Sequence, residues 1–389
     1  MFRRLHVTLL LIALNLSFIV PIPAVARTII VHPGDSIRAA LAEASPGDRI
    51  QVLPGVYHEG SAGDLNALTI STSGIELVGV PSSTKPVVLE NAGGQSYGIW
   101  VSPPDSAGAD PQSDPEHPPC GYSGATINAF SLYGFTVRGF EVHGVHLACV
   151  DGFSITSNAA DSNAVYGLFP VVSRNGVMAN NEVTNTARDA AIYVGQSDNV
   201  LIKNNRAHDN LLGIEVENSR NCAVIANEVY GNTFGVFIDI EPLVERNTQE
   251  ATLVTLNYVH DNNRPNTSEP DNPLALLPPG IGVLLAGADT TTVSANTVTR
   301  NQFVGIGVVS FCLSFALEGL PCAGLDIDPN PDANRIIGNL VQQNGTVPII
   351  AGPLDAFRSD LAWDGTGIGN CWKANSFGAS VPPILPSCP

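Results

Sequence analysis

Hydrophobic residues in the second half of the chain occur in short runs that follow regularly spaced asparagines. Pairs of asparagines five positions apart recur at Asn205/Asn210, Asn227/Asn232, Asn257/Asn262, Asn296/Asn301 and Asn339/Asn344. A Gly-led apolar strand usually follows, as in GIEV at 213–216 and GVFI at 235–238. The tightest spacing, 22 residues, is too short for a helical hairpin and suits one coil of a β-helix. The pattern predicts an all-β fold, a single-stranded right-handed parallel β-helix.

The repeated asparagines have a structural explanation. Asparagine tolerates the left-handed backbone of a tight corner, and its amide can bond to the same atoms in the coils above and below. We therefore expect these residues to form an internal ladder rather than an active site.

Breaks in the pattern predict the ends and the insertions of the solenoid. Asp35-Ser36 offers a helix N-cap, and apolar residues at helical spacing follow it, which predicts a short helix that caps the first coil. Loop insertions are predicted at 101–124, 264–279 and 313–332, and the last two account for wider ladder spacings. We expect the β-helix to span residues 27–345 and a C-terminal cap or tail to span 346–389.

The first 26 residues have the features of a cleavable secretory signal peptide. Arg3 and Arg4 precede an apolar run from 9 to 20, and Ala24-x-Ala26 offers a cleavage site. No cysteine occupies a lipoprotein position, and no later apolar run is long enough to span a bilayer. We expect a periplasmic or secreted protein with no membrane span after cleavage; the pattern leaves its oligomeric state open.

The charge of the chain argues against nucleic acid as a partner. Its 18 basic residues face 36 acidic ones, which gives a formal net charge of −18. Such a field repels polyanions over a Debye length of about 8–10 Å unless a divalent cation intervenes.

The seven cysteines are expected to pair in an exported protein, with at least one left free. Candidate pairs are Cys312 with Cys322, Cys371 with Cys388, and Cys120 with Cys149. Cys222 aligns with the inward-facing Val200 and is predicted to be a buried free thiol.

Strand alternation selects a group of candidate ligand-binding residues that point outward from consecutive coils. They are Phe169, Tyr193, Glu215, Glu217 and Asp239. Because stacked coils lie about 4.8 Å apart, Glu217 and Asp239 could share a proton or hold a hard cation such as calcium. Paired carboxylates also suit acid–base or glycosidase chemistry, and ordinary solvated carboxylates are the simple alternative.

A corner residue pair next to this face supplies candidate catalytic groups. Arg188 could neutralise a substrate carboxylate, Asp189 lies beside it, and Tyr193 could transfer a proton, as lyase or epimerase chemistry requires. An ion pair at the corner is the alternative explanation. His143 and His146 lie three apart in a strand pattern, so we expect them to face opposite sides and not to share a metal.

Several segments resemble a family of exported parallel β-helix repeat proteins. They are AVYGLFPV at 164–171, DAAIYVGQS at 189–197, GIEVENS at 213–219, NNRPN at 262–266 and PGIGV at 279–283. The resemblance covers residues 125–345 and implies a pectate-lyase-like β-helix, often accompanied by a cytochrome-c-like partner. The chain departs from the family at 236–242, around Asp239, and lacks the Asp-Pro-His motif of the related mannuronan epimerases.

Two functions follow from these observations. The first is an exported protein that binds a carbohydrate on an exposed strand face and, if enzymatic, acts as a polysaccharide lyase, epimerase or glycosidase. The second is a non-catalytic scaffold that docks on an exported partner such as a cytochrome-c-like protein.

Overall fold

A computed structural model describes residues 26–389 apart from 62, 105–119, 121–123, 271, 318, 320 and 347–352. Three parallel sheets of 12, 11 and 11 strands run side by side along one solenoid. The chain passes through sheets 1, 2 and 3 in a fixed order, so that each round forms one coil. The predicted signal peptide lies outside the described residues except for Ala26.

Each sheet takes one strand from each successive coil. Sheet 1 contains Thr28–Val31, Arg49–Val52, Glu76–Gly79, Ile127–Tyr133, Val150–Thr156, Arg174–Ala179, Asp198–Lys203, Ala223–Ile225, Leu253–Thr255, Thr292–Ser294, Arg335–Ile337 and Cys371–Lys373. Sheet 2 contains Gly55–Tyr57, Val87–Glu90, Phe135–Arg138, Ala159–Asp161, Glu182–Thr184, Arg206–His208, Glu228–Tyr230, Tyr258–His260, Thr297–Thr299, Leu340–Gln342 and Ser376–Phe377. Sheet 3 contains Asn66–Ile70, Tyr97–Val101, His143–Ala148, Tyr166–Val171, Ala190–Gly195, Leu212–Glu217, Phe234–Asp239, Ile281–Ala286, Val304–Val309, Ser359–Trp363 and Ser380–Val381.

Helical segments lie at the N-terminal end and in the insertions. The α-helices are Ile37–Ala42 and Cys312–Leu317, and the 3₁₀ helices are Pro273–Leu276 and Pro353–Phe357. The side chain of Ser36 accepts a hydrogen bond from the backbone N–H of Ala39 and so caps the first helix. Ile37 is fully buried against the first coils. The predicted capping helix is confirmed.

The interior of the solenoid is a column of apolar side chains from successive coils. In sheet 3, Ile192 pairs with Ile214 and Ile214 with Val236, and all three are fully buried. This register is the one that the sequence alternation predicts. Each coil adds its own apolar side chains, and together they form one continuous core along the solenoid.

Two asparagine ladders connect the coils at the corners on either side of sheet 2. Within them, the side-chain amide of one asparagine donates to the side-chain oxygen of its counterpart in the next coil, as in Asn205 to Asn227 and Asn210 to Asn232, both at 3.0 Å. The ladders begin earlier than the predicted pairs, at Asn158 and Asn163. The ladder prediction is confirmed.

The left-handed backbone belongs to a different residue of the corner. Asn204 and Ala226, which precede ladder asparagines, both have φ of 54°, whereas Asn205 and Asn227 do not have positive φ. Alanine thus occupies at one coil the left-handed position that asparagine occupies at the coil before. The ladder residues are therefore needed for their amides and not for their backbone tolerance.

A column of glycines allows the coils to approach closely at the start of sheet 3. A Cβ at Gly213 would lie 2.7 Å from the carbonyl oxygen of Gly235, and one at Gly282 would lie 2.5 Å from that of Gly305. Real Cβ atoms do not come so close to a backbone oxygen. This contact explains why glycine leads the predicted apolar strands.

The insertions fold back over the outer face of sheet 3. Apolar side chains that pack on this face come from both 3₁₀ helices and from the second α-helix, and they are Leu274, Leu277, Leu313, Leu354 and Phe357. The outer face of sheet 3 is therefore a second hydrophobic cluster, covered rather than exposed.

The disulfides follow the predicted pairing. Cys120 bonds to Cys149, Cys312 to Cys322, and Cys371 to Cys388, while Cys222 is free and buried.

The solenoid continues past the predicted end at residue 345. The strands Ser359–Trp363, Cys371–Lys373, Ser376–Phe377 and Ser380–Val381 extend all three sheets. The predicted boundary is too early because the insertion before Ser359 interrupts the repeat. Of the helices that the structure describes, none is sufficiently long and apolar to pass through a bilayer.

Candidate functional site

The candidate ligand-binding residues point outward from the solenoid, as predicted, but they are not exposed. Phe169 is 0% exposed, Tyr193 1%, Glu217 3% and Glu215 6%, while Asp239 is partly buried. The prediction of an exposed strand face is wrong here, because strand alternation gives the direction of a side chain but not what folds over it.

Three carboxylates meet on this face because of the strand register. Glu217 pairs with Asp239 on the next coil, and Glu215 lies two positions before Glu217 on the same strand. One carboxylate oxygen from each of the three lies within 4.8 Å of the others. We call Glu215, Glu217 and Asp239 the carboxylate triad.

Gly195 provides the space in which Tyr193 reaches the triad. A Cβ at position 195 would lie 2.7 Å from the ring of Tyr193, so the phenol fills the volume that a larger residue would occupy. A hydrogen bond from Tyr193 acts on Glu217 and favours its ionised form. The glycine at this position therefore contributes to the geometry of the site.

Asp189 extends the cluster at the corner before the strand Ala190–Gly195. The hydroxyl of Tyr166 donates a 3.2 Å hydrogen bond to Oδ2 of Asp189. Burial and the nearby charge of Glu241 raise the pKa of Asp189 to about 7. This carboxyl can therefore both give and accept a proton near neutral pH.

Burial raises the pKa of each triad carboxyl well above its usual range, and repulsion between neighbouring carboxyls adds to the effect. The pKa of Glu241 is also raised by burial. No cationic side chain of the described residues contributes to these shifts. Oε1 of Glu217 and Oδ1 of Asp239 are buried and, within the described chain, have no hydrogen-bond partner. Five carboxyl groups thus share one low-dielectric region without a countercharge.

Arg188 lies at the rim and does not supply that countercharge. Its side chain forms a 3.4 Å ion pair with Glu269 of an insertion, and both side chains are more than half exposed. The predicted catalytic residues Arg188, Asp189 and Tyr193 therefore do not form one group. Asp189 contacts Tyr166 on the outer face, whereas Arg188 contacts the insertion. The alternative of an ion pair between the two corner residues is not observed, since Arg188 pairs with Glu269 instead.

The expectation that His143 and His146 face opposite sides is wrong. Their Nδ1 atoms lie 3.0 Å apart on the outer face, and the ring of Trp100 stacks on His146 with centroids 4.0 Å apart. His143 begins its strand at a corner, where the alternation has not yet started, as does Tyr97 in the coil before. Burial lowers the pKa of His146 to about 3, so this imidazole is neutral.

Sequence reasoning missed two members of the cluster. Tyr166 begins its strand at the same corner position as His143, with which it pairs. Glu241 continues the alternation of Phe237 and Asp239 beyond the end of the strand. That alternation was a usable signal for Glu241, whereas the corner orientation of Tyr166 was not visible in the pattern.

Comparisons with known proteins identify the fold. A family model described as "Right handed beta helix region" matches residues 143–316. No curated protein matches the sequence significantly.

Among solved structures, the chain resembles the A-module of mannuronan C-5 epimerase AlgE6 from Azotobacter vinelandii. The identity is 15% over 88% of this chain and 82% of that one, with a TM-score of 0.62. The AlgE4 A-module of the same organism has a TM-score of 0.59 at 15% identity, covering 88% and 89% of the two chains. DFA-IIIase from Arthrobacter chlorophenolicus A6, in complex with GF2, has a TM-score of 0.52 at 15% identity, covering 85% and 78%.

At this level of identity these likenesses concern the fold alone. The predicted β-helix is confirmed, while the cytochrome-c-like partner stays a prediction. The chain therefore folds as a right-handed parallel β-helix.

Proposed function

We propose that this protein binds a carbohydrate at the outer face of sheet 3 and modifies it by acid–base chemistry, with Asp189 as the proton-transfer group. The observation that carries the proposal is the hydrogen bond between Tyr166 and Asp189, a carboxyl with a pKa of about 7. A group that titrates near the working pH is what general acid–base catalysis needs.

The electrostatics of the site favour a neutral sugar over a uronate. Asp189, the triad and Glu241 form a cluster of acids, and Arg188 is held by Glu269 at the rim. A uronate carboxylate would find no cationic side chain among the described residues of the cluster to neutralise it, whereas a neutral sugar needs none. Among the predicted activities, this supports a glycosidase-like reaction more than lyase or epimerase chemistry.

The covering of the face limits the size of the ligand. The aromatic side chains of Phe169 and Tyr193 are buried, so a long polymer cannot stack on them along the sheet. Asp189, Asp239 and Glu241 are only partly buried and mark the open side of the cluster. The end of a glycan chain or a short oligosaccharide fits this opening better than the middle of a polymer. The fold shared with mannuronan epimerase modules makes glycans the first class to test.

The experiment is a glycan-array screen of the purified protein, followed by product analysis on every glycan that binds. We expect binding to a neutral oligosaccharide and loss of turnover, with retained binding, in Asp189→Asn. Asp209→Asn, at an exposed turn, is the control and should behave as the parent. The absence of any glycan binding by the folded parent would refute the proposal.

The second predicted function, docking on an exported partner, gains support from the same covering of the face, since a closed face suits a scaffold. Co-purification of a c-type cytochrome with a parent protein that binds no glycan would favour this function.

A further inference from the structure

We propose that the carboxylate triad of Glu215, Glu217 and Asp239 is a binding site for a hard divalent cation, with calcium as the best-fitting ion. The inference does not depend on the proposed function, because its test contains no carbohydrate.

The geometry of the triad meets the first requirement of a metal site. The three candidate ligand oxygens lie within 4.8 Å of one another. Two oxygens on opposite sides of a calcium ion, each about 2.4 Å from it, are separated by about the same distance. Magnesium demands near-ideal octahedral geometry and gives up its water reluctantly, so calcium is the ion that a set of protein carboxylates binds more readily. The triad can therefore contact one calcium ion with little movement.

Unsatisfied buried oxygens give an independent reason to expect a ligand. Oε1 of Glu217, on a side chain that is 3% exposed, has no hydrogen-bond partner in the described chain, and neither does Oδ1 of Asp239. A buried carboxylate oxygen without a partner loses its hydration without compensation. Both atoms belong to the triad, so a single cation would satisfy them together.

The chemistry of the ligands selects the class of ion. All three are carboxylate oxygens, which prefer calcium, magnesium or manganese over the softer transition metals. The neutral pair of His143 and His146 provides nitrogen ligands elsewhere on the face and is not among the triad.

Protons and the cation compete for the same oxygens. Three carboxylates with oxygens within 4.8 Å of one another repel unless they bind protons or a cation. Cation binding must displace such protons into the solvent. The titratable groups that face the triad are Asp189, Glu241, Tyr166 and Tyr193. Affinity should therefore rise with pH, by about tenfold per pH unit for each proton displaced.

The test uses the full mature protein, freed of metal with a chelator and titrated with calcium by calorimetry at several pH values. We expect saturable binding of one calcium ion, weaker binding of magnesium and a higher Tm with calcium. Because protons are released, the measured binding heat should also vary with the ionisation enthalpy of the buffer. Glu217→Gln should lower calcium affinity about tenfold or more, because it removes one charged ligand. Glu245→Gln, at an exposed loop position, should bind calcium as the parent does.

Two outcomes would overturn the proposal. One is the absence of calcium or manganese binding by the folded parent, and the other is equal affinity in the parent and in Glu217→Gln. Because the glutamine has the same shape and removes a repelling charge, the variant is expected to fold, which circular dichroism checks. If it does not fold, Asp239→Asn, which removes another ligand of the triad, provides the same comparison with the parent.

Discussion

The side-chain amide of Asn205 donates a 3.0 Å hydrogen bond to the side-chain oxygen of Asn227, one coil further along. The same oxygen accepts from the backbone N–H of Asn205 at 2.9 Å. The amide of Asn227 in turn donates to Asn257 and to the carbonyl of Ile202, both at 3.0 Å. One buried side chain thus fixes the spacing of three coils.

Asn227→Ala should therefore lower the free energy of unfolding by about 1–3 kcal/mol, because it leaves buried donors and acceptors without partners. Chemical denaturation measures the change. Asn204→Ala is the matched control, since Ala226 occupies the same corner position with the same backbone in the next coil. Equal losses in the two variants would show that the ladder has no special role.

Gly235→Ala should destabilise the protein by about 1–3 kcal/mol through overpacking. Its Cβ would press on the carbonyl oxygen of Gly282, which is backbone and cannot move aside. Gly307→Ala is the control, since its Cβ would meet side-chain atoms only, the nearest being the end of Leu284 at 3.0 Å. The Tm of Gly235→Ala should therefore be lower than that of Gly307→Ala. The reverse order would contradict the explanation by close approach of the coils.

Cys222 should remain unlabelled by an alkylating reagent in the native protein and react once the protein unfolds. It is buried beside Val200 in the core, and burial raises the pKa of its thiol to about 12. Mass spectrometry under native and denaturing conditions measures the labelling. Cys222→Val, which copies the residue one coil earlier, should change stability little. Rapid labelling of the native protein would disprove the core position.

Stability should fall as the pH rises from about 4 to about 7, to the extent that Asp189 contributes. Its pKa rises from 3.8 to about 7 on folding, so in this window the native state holds a proton that the unfolded state has lost. Asp189→Asn removes this contribution, and its Tm should fall less than that of the parent across the window.

The parent must be compared with Asp189→Asn because His143 and His146 change the stability with pH in the opposite direction. Burial lowers the pKa of both, so their contribution is lost as the pH falls below about 6.5. That effect is common to the parent and the variant and cancels in their difference. Parallel pH profiles for the two would contradict the assignment of a raised pKa to Asp189.

Periodicity allowed the coils, the ladders and the inward and outward columns to be predicted, because each is set by local spacing. The same reasoning placed Glu215, Glu217 and Asp239 on one face, where their carboxylates meet. It did not predict that Leu274 and Phe357 would pack on the outer face of sheet 3, because the insertions have no period and their docking depends on tertiary packing. For the same reason the ion pair of Arg188 with Glu269, far along the chain, could not be predicted from the corner alone.

The segment at 386–388 covers the edge of the strand Cys371–Lys373 in sheet 1. The backbone N–H of Trp372 donates to the carbonyl of Pro386, and the N–H of Cys388 returns a bond to the carbonyl of Trp372. The disulfide between Cys371 and Cys388 holds this return in place. A last strand with free backbone groups would be a template on which another chain could grow into a fibre. Residues 386–388 pair with the strand Cys371–Lys373 of sheet 1 and so occupy that template, and the disulfide keeps this segment from leaving the strand exposed to another chain.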